Sequence, residues 1–505
     1  MTPARWSGSR RTCLRNGSAL LLAALFAGVP AVDAAGAGVA SGPIDAVDRY
    51  LRAQIRKLRI PGMAVAVVKD RRIVLLRNYG TASVEFDQPV RDDTVFAINS
   101  VTKAFTGIAA MRLVEQGKLD LLAPVDRYLP NLPPAWRGVT IRQLLSHMSG
   151  LPDVMRAPTV ETDAVAAWAW IQQQPVVFAP GQRFHYCQTN YTLIQRVLNT
   201  IEQRPLDAPL AGEQLRLAGM TQTSYGDTYD VIPRKGPTYR WDLPGPFVDG
   251  YSGATPDAPR VMKVASERFL PFRRASSGLN SSARDLARWL IAINDDTLLS
   301  PQSREMLWSP VAFTSGEKGQ WGLGWEVLAR GTHRAVGMTG GGRAVVFYYP
   351  EDRVGVVILT NLAGAFPEDM VDKIAALYAP GLALTGVPAL RIALEDQGYD
   401  KADRAAAAIE AKDPALAWPE MEMNDWGYRL ISTGRARDAL AVFALIARKF
   451  PNSVNAHDSL AQAYRVNSQT GNAIAEYERV LQLDLGNARA RRHIEELKGI
   501  TPAAK

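Results

Sequence analysis

The sequence is poor in cysteine and histidine, with two and five residues among 505. Cys13 lies in an N-terminal segment that we expect to be removed, so Cys187 would be the remaining thiol and no internal disulfide could form. The histidines show no metal-ligand spacing, and we predict neither a metal nor any other cofactor. We expect His147 to hold a loop in place rather than to bind a metal or carry a proton.

The sequence also lacks a basic run, and its longest apolar stretch is too short to cross a membrane comfortably. The net charge is +8 for the full chain and +5 without residues 1–34, which contain four arginines and one aspartate. A modest charge without clusters is typical of an ordinary protein surface. We therefore predict no nucleic-acid partner and no integral membrane segment in the mature protein.

The N-terminus has the order of a secretory signal peptide. Four arginines precede the apolar run Ala19–Ala27, and Val32-Asp33-Ala34 resembles a cleavage site with small residues. We predict that residues 1–34 are a signal peptide and that the protein is exported, to the periplasm or the medium. Ser9–Leu14 also resembles a twin-arginine signal, so the export route stays open.

The pattern of the next part of the chain predicts an α+β fold. A helix is expected over residues 44–59, followed by a hairpin of Met63–Val68 and Ile73–Leu76. After a largely helical region, in which Ser282–Asp285 has the pattern of a capping box, three more strands are expected. They are Gly322–Val327, Ala344–Tyr349 and Val354–Leu359. Strands at both ends of a helical region indicate one antiparallel sheet with a helical insertion.

The end of the chain repeats with a period of 34 residues. Three columns keep register: Ala405, Ala439 and Ala473; Ala406, Leu440 and Ile474; Ile409, Phe443 and Tyr477. A small residue followed by a large apolar one, in helical units of 34, is the tetratricopeptide pattern. We predict an all-α repeat module over residues 389–498, which offers a surface for a protein partner and carries no chemistry. Three unrelated amphipathic helices are the alternative.

Ser100-Val-Thr-Lys103 begins a predicted amphipathic helix. Residues i and i+3 of a helix share a face, so the lysine can reach the serine hydroxyl. A lysine in a dry pocket loses its charge and can take that proton, and the unpaired N–H groups of the helix start can stabilise negative charge. The alternative is that Ser100 caps the helix and Lys103 is solvated.

Four motifs in order resemble the serine β-lactamase and penicillin-binding-protein superfamily, in particular its class C branch with esterases and peptidases. The motifs are Ser100–Lys103, Leu144–Pro152, Pro180–Tyr186 and Val336–Gly342. The resemblance covers roughly residues 44–380, which we predict to be the hydrolase domain.

The resemblance implies a role for each matching residue. Ser100 would be the acylated nucleophile, Lys103 its activator and Tyr186 the residue that moves protons to the leaving group. The backbone N–H groups of Ser100 and Gly341 would form the oxyanion hole. The substrate would be a small ester, amide or peptide. Residues expected to bind it are Gln188, Met338, Thr339, Gly340 and Arg343.

Two positions depart from the superfamily pattern. Gln188 replaces the usual asparagine, and Met338 replaces the usual lysine or histidine, which would lower the pKa of Tyr186 and hold a substrate carboxylate. Arg343 is either a substitute for that cation or an exposed arginine at the sheet edge. Cys187, between Tyr186 and Gln188, is expected to be a small buried side chain.

Two functions follow from these observations. The first is an exported serine hydrolase, with an esterase or peptidase favoured over an efficient β-lactamase because Met338 cannot hold a carboxylate. The second is a catalytically impaired binding protein of the same fold that uses its helical repeats for protein interaction. Labelling of Ser100 by a fluorophosphonate distinguishes the two.

Overall fold

The computed structural model describes residues 42–205, 210–242, 247–248, 251–252 and 260–499. The predicted signal peptide and its cleavage site lie outside the described residues. The residues from Pro43 onward form one compact unit. The boundary between residues 380 and 389 stays a prediction. In the described part of the chain, none of the helices combines the length and the apolar character needed to cross a membrane.

The strands are short except around one central sheet. They are β1 (Gly62–Lys69), β2 (Arg72–Ser83), β3 (Gln88–Pro89), β4 (Phe96–Ala97), β5 (Ser224–Tyr225), β6 (Tyr239–Asp242), β7 (Phe247–Val248), β8 (Tyr251–Ser252), β9 (Val261–Val264), β10 (Leu279–Ser281), β11 (Glu326–Arg330), β12 (His333–Gly340), β13 (Ala344–Tyr349) and β14 (Val354–Thr360).

Of the helices, one precedes the first strand, a second group is inserted between β3 and β11, and a third group follows β14. They are α1 (Pro43–Leu58), α2 (Thr102–Glu115), α3 (Pro134–Arg137), α4 (Ile141–Leu145), α5 (Ala164–Ile171), α6 (Gln188–Glu202), α7 (Leu210–Leu217), α8 (Ala283–Asn294), α9 (Pro301–Leu307), α10 (Glu368–Tyr378), α11 (Gly386–Gln397), α12 (Ala402–Glu410), α13 (Glu420–Ser432), α14 (Ala436–Lys449), α15 (Val454–Val466), α16 (Thr470–Leu483) and α17 (Ala488–Leu497).

Seven strands form the antiparallel sheet, in the order β11-β12-β13-β14-β1-β2-β3. β1 pairs with β14, with Met63 opposite Thr360 and Lys69 opposite Val354, so the sheet joins the two ends of the domain. The helices α2 to α9 are inserted between β3 and β11. The predicted α+β class and the antiparallel sheet with a helical insertion are confirmed.

Both faces of the sheet are covered, which explains the continuous apolar runs of its strands. In β1, Ala64, Ala66 and Val68 belong to the core shared with the inserted helices. Met63, Val65 and Val67 point to the other face and belong to the core with α1 and α10. The side chains of residues 63–68 are therefore all buried, whichever face they occupy.

One strand prediction was wrong in detail, and one strand was not predicted. The expected strand Gly322–Val327 begins only at Glu326, because Gly324 turns with φ +88 and its hydrogen faces the Lys103 carbonyl, where a Cβ would lie 2.7 Å from the oxygen. β12 was predicted only as a motif and not as a strand. Its Gly337, which breaks the apolar alternation, gives room to Phe347, 2.5 Å from where a Cβ would stand.

Only one of the two hydrogen bonds of the predicted capping box is present. Ser282 accepts a hydrogen bond from the Asp285 backbone N–H at 3.1 Å and begins α8. The Asp285 side chain does not reach back to it, because its Oδ2 accepts from the Gln222 backbone N–H at 2.6 Å. The aspartate thus ties α8 to the loop after α7.

The expected amphipathic character of α2 was also wrong. Every residue from Thr102 to Met111 is buried, polar and apolar alike. A helix that is buried on all sides lies within the core of a domain. The polar residues at its start, Thr102 and Lys103, are therefore fixed by surrounding protein and not by solvent.

The C-terminal helices begin at regular intervals. α11, α13, α15 and α17 start at residues 386, 420, 454 and 488, and α12, α14 and α16 at 402, 436 and 470. The alanines Ala405, Ala439 and Ala473 are buried at the equivalent positions. This spacing is consistent with the predicted helical repeat.

Candidate active site

Ser100 and Lys103 meet at the start of α2. Ser100 lies in a single 3₁₀ turn, Asn99–Val101, and Lys103 follows in the first turn of the helix. Lys103 Nζ donates to Ser100 Oγ at 3.2 Å and to the Ser276 carbonyl at 3.1 Å. The lysine is 0% exposed. Of the two interpretations of this motif, the geometry fits the buried pair and not the solvated lysine.

Burial changes the acid–base character of Lys103. The loss of hydration, followed by the positive charge of Arg273, holds the pKa of the Lys103 ammonium well below its usual range. The nearest hydrogen-bond partners are a hydroxyl and a carbonyl, and neither compensates a full charge. Lys103 can therefore hold a free amine that accepts the proton of Ser100.

The turn that carries Ser100 is held by a charged network. Asn99 adopts φ +44, an uncommon conformation for a residue with a side chain. Its Nδ2 donates to Glu267 Oε1 at 3.0 Å. Glu267 in turn receives two hydrogen bonds from Arg343, at 2.8 and 2.9 Å. The network holds the residue that precedes the nucleophile.

This network corrects the interpretation of Arg343. The expected exposed arginine is wrong, because Arg343 is 3% exposed. Its guanidinium is also committed to Glu267 and to Thr238 Oγ1, 3.2 Å away. Arg343 thus braces the turn before Ser100, and its charge is already balanced within the protein.

The end of β12 lies directly against the nucleophile. A Cβ on Gly340 would stand 2.0 Å from the Ile98 carbonyl oxygen and 3.3 Å from the Ser100 nitrogen, so only glycine fits. The next residue, Gly341, has φ +57. The sheet edge and the start of α2 are therefore adjacent at the backbone level, as an oxyanion hole built from both would require.

Tyr186 lies over Lys103 in an aromatic pocket. Lys103 Nζ is 4.8 Å from the centre of the Tyr186 ring. The rings of His147 and Trp321 lie 4.4 and 5.7 Å from it, centre to centre. Burial raises the pKa of the Tyr186 phenol above its usual value, an effect that hydrogen bonds with Ser100 and Gln188 oppose. Tyr186 is therefore a phenol that can donate a proton.

His147 positions the loop that carries Tyr186. The Cys187 backbone N–H donates to His147 Nδ1 at 3.1 Å, and Asn190 Nδ2 lies 3.2 Å from the same atom. Burial, followed by the neighbouring charge of Lys103, holds the pKa of His147 well below its usual range. A neutral, fully buried histidine agrees with the expectation that it holds a loop.

Cys187 is buried as predicted, and the neighbouring Gln188 lies beside Tyr186. Cys187 is 0% exposed, as expected, and burial raises the pKa of its thiol to about 12, which makes it unreactive. Gln188 begins α6, and its backbone N–H donates to Asp153 Oδ1 at 3.1 Å. Its side-chain Oε1 is buried without a hydrogen-bond partner, which leaves an acceptor beside Tyr186.

The adjacent β12 residues Met338 and Thr339 have different surroundings. Met338 is 1% exposed and belongs to the core shared with the inserted helices, while it also borders the active-site cavity. Thr339 Oγ1 donates to Glu326 Oε1 at 3.4 Å. The position where the superfamily places a cation thus holds an apolar side chain in an apolar environment.

A cavity of about 640 Å³ connects the nucleophile with the C-terminal helices. Ser100, Tyr186, Met338, Thr339 and Gly341 border it at one end. The other end is bordered by side chains of α10, α11 and α13: Glu368, Val371, Asp372, Arg391, Met421, Glu422, Asp425 and Arg429. The sequence left open whether the repeats face the active site, and the structure shows that α13 does.

Buried ion pairs join α13 to the sheet edge and to α10. Arg330 of β11 contacts Asp372 at 2.8 Å and Glu422 at 2.9 Å, and all three side chains are at most 10% exposed. Arg429 of α13 contacts Asp369 of α10 at 2.9 Å. These contacts make the C-terminal region part of the wall of the cavity, which no local sequence signal could reveal.

A family model described as Beta-lactamase matches residues 47–379, two thirds of the chain. Curated relatives include Protein flp of Staphylococcus aureus strain N315, 23% identical over 65% of this chain and 65% of its own length. A Beta-lactamase of Yersinia enterocolitica is 25% identical over 62% of this chain and 86% of its own. The chain thus spans less than two thirds of the length of Protein flp.

Among solved structures, the D-amino acid amidase of Ochrobactrum anthropi SV3 is similar, with a TM-score of 0.54. The match has 23% sequence identity and covers 63% of this chain and 92% of the amidase. At this identity the similarity establishes the fold alone. The family match ends before α11, so it does not include the helix α13 that borders the cavity.

Proposed function

The chain belongs to the beta-lactamase family, and from this membership we propose that it is a serine hydrolase that cleaves an ester or amide through an acyl-Ser100 intermediate. The observation that carries the proposal is the 3.2 Å contact between Ser100 Oγ and the buried Lys103 amine. A serine becomes a nucleophile when an adjacent base accepts its proton, and burial gives Lys103 that property.

In the proposed reaction, the Lys103 amine takes the Ser100 proton as Oγ bonds to the carbonyl carbon of the substrate. The N–H groups of Ser100 and Gly341 stabilise the oxyanion. Tyr186 donates its proton to the leaving oxygen or nitrogen as that bond breaks, and the Lys103 ammonium returns a proton to Tyr186. Water then attacks the acyl carbon, one of its protons reaches Ser100 Oγ through Lys103, and the acid product leaves.

We propose an esterase or peptidase rather than an efficient β-lactamase. β-Lactams and peptidoglycan stem peptides carry a carboxylate, which needs a cation near the nucleophile. Met338 supplies no charge, and the charge of Arg343 is balanced by Glu267. The similarity to a D-amino acid amidase makes small amides one class of substrate to test.

We also propose that the protein is exported, on the signal-peptide pattern of residues 1–34. Export would place the hydrolase in the periplasm or the medium, where small esters, amides and peptides are available as substrates. A protein partner for the helical repeats stays a prediction, supported by the 34-residue spacing of the helices.

The test is covalent labelling of the mature protein with a fluorophosphonate, followed by mass spectrometry of the modified peptide. We expect the label on Ser100 and none on the Ser100→Ala variant, which should keep its melting temperature. A screen of p-nitrophenyl esters, D-amino-acid amides and β-lactams then identifies the substrate class. Absence of label from the folded protein would favour the binding-protein alternative.

A further inference from the structure

The acidic side chains of the active-site cavity fall into two sets. Asp372 and Glu422 are paired with Arg330, in the contacts given above. The second set, Glu326, Glu368 and Asp425, forms no ion pair within 4 Å among the described residues. One set is neutralised within the protein, and the other faces the cavity with no cation of the described residues in ion-pair contact.

The second set is poor in hydrogen bonds as well as in charge partners. In the described part of the chain, the side chain of Glu326 accepts a single hydrogen bond, the long one from Thr339 at 3.4 Å. Glu368 Oε2 is buried without any hydrogen-bond partner. A buried carboxylate oxygen without a donor costs free energy in the empty protein, and a ligand that supplies the donor regains it.

The unpaired set reaches the catalytic end of the cavity. Glu326 is joined by its hydrogen bond to Thr339, which lies between Met338 and Gly340 beside Ser100. The negative charge of Glu326 is close enough to contribute to the raised pKa of the Tyr186 phenol. A substrate acylating Ser100 therefore has the carboxyl group of Glu326 within its immediate surroundings.

The arginines of the cavity do not cancel this set. Arg330 is held by Asp372 and Glu422, and Arg429 by Asp369. Arg391 also contacts Asp369, at 3.4 Å. Arg391 and Arg429 thus share one carboxylate, and Arg330 contacts two. Each of the three guanidiniums is already in contact with a carboxylate, so none offers a free charge to a carboxylate substrate.

We propose that this cavity selects substrates that carry a protonated amino group, which Glu326, Glu368 and Asp425 receive while Ser100 attacks the ester or amide carbonyl. The proposal rests on the acyl-Ser100 chemistry given above and names its substrate class. An ammonium group supplies up to three N–H donors and a positive charge, which are the two things the unpaired carboxyl groups lack. Within the described residues, no group of three or more His, Cys, Asp or Glu side chains is arranged to hold a metal ion.

The protonation of the three groups supports this interpretation. Burial raises the pKa of Glu326 to about 8 and that of Glu368 to about 7. Loss of hydration beside the surrounding protein also raises the pKa of Asp425, although part of this residue is exposed to solvent. Each of the three groups has neighbouring charges of both signs. Glu326 is near Glu368, Asp425 and Arg429. Glu368 is near Arg429, Asp369 and Arg391, and Asp425 is near Arg429 and Glu422. An arriving ammonium favours the ionised carboxylates, so selectivity for the amine should increase as pH rises toward 8.

The experiment compares the rates at which three matched aryl phosphonates label Ser100. Their alkyl chains end in an ammonium, a methyl or a carboxylate group, and the labelling rate needs no turnover. Above the pKa of Glu326 we expect the ammonium compound to react about 10-fold faster than the methyl compound, the order of a well-placed polar contact. The carboxylate compound should be the slowest of the three.

Asp425→Asn is the informative variant, because Asp425 is exposed on α13 and its change should not affect folding. It should reduce the ratio of ammonium to methyl labelling several-fold, and Glu368→Gln should do the same. Glu420→Gln removes a charge from the same helix at a residue that contacts Ser453 and Asn455 outside the cavity, so its ratio should equal that of the parent.

Two results would overturn the proposal. One is a labelling rate of the ammonium compound equal to or below that of the methyl compound. The other is an equal loss of selectivity in Glu420→Gln and Asp425→Asn, which would indicate a general effect of surface charge. If none of the three compounds labels Ser100, the proposed acyl-serine chemistry itself has failed.

Discussion

Two groups of side chains border the same cavity and differ in how the chain brings them together. Ser100 and Lys103 are three residues apart, and one helical turn places them in contact. Glu326, Glu368 and Asp425 come from β11, α10 and α13, and only the packing of these elements gathers them. The first group contains the proposed chemistry, and the second sets the charge that a substrate meets.

The comparison teaches that the C-terminal helices are part of the site. α13 lies outside the family match, yet four of its side chains border the cavity. Its position depends on the buried contacts of Arg330 and Arg429. A helix outside the family match thus forms part of the cavity wall, and its charged side chains contrast with the neutral Met338 at the other end.

The largest expected effect tests the residues that are proposed to carry out the reaction. Tyr186→Phe should lower kcat by about 10²–10⁴-fold, the range for loss of a general acid, with a smaller change in KM. The physical reason is that the phenol acts on the departing group in the transition state. Steady-state kinetics on a neutral ester measures it, and an unchanged kcat would mean that Lys103 or solvent supplies every proton.

The next effect tests the ion pairs by which Arg330 holds α13 against the cavity. Arg330→Met leaves Asp372 and Glu422 buried without their cation and should lower the free energy of unfolding by about 3–5 kcal/mol. Urea denaturation is the measurement. As a control, Arg448→Gln breaks an exposed pair with Asp403 and should cost about 0–1 kcal/mol. Equal effects of both substitutions would argue against Arg330 as the anchor of α13.

A third prediction tests the neutral end of the cavity. Met338→Lys places an ammonium among apolar side chains at a position that is 1% exposed, and it should cost about 2 kcal/mol or more. It should bring no gain on carboxylate substrates. The control, Met338→Leu, keeps the volume and should cost less than about 1.5 kcal/mol. A stable lysine variant that prefers carboxylates would show that the position is merely a weakened third motif.

The smallest expected effect concerns pH and the acidic group. The pKa of Glu326 is raised from 4.5 to about 8, so the folded protein binds the proton more tightly than the unfolded chain. The contribution of Glu326 to the free energy of unfolding is fully present below pH 4.5, and it is lost as pH rises toward 8. Glu326→Gln should therefore show a smaller fall in melting temperature over this interval, measured by thermal scans at several pH values.

Features that depend on residues close together in the sequence were predicted correctly. The hairpin of β1 and β2, the last two strands and the Ser100–Lys103 contact followed from periodicity and helical spacing. Arg343 shows the opposite case, because its exposure depended on Glu267, a residue far away in the chain. The buried character of α2 likewise required knowledge of what packs against its polar side.

The sequence by itself determined the α+β class, the serine and lysine of one helical turn and the 34-residue rhythm of the C-terminal helices, since each depends on short-range geometry. Only the tertiary structure decided that Lys103 is dry, that Arg343 is balanced by Glu267 and that β11, α10 and α13 each bring one unpaired carboxyl group to the same cavity. Burial and charge pairing are properties of side chains distant along the chain, and they exist only after these have packed together.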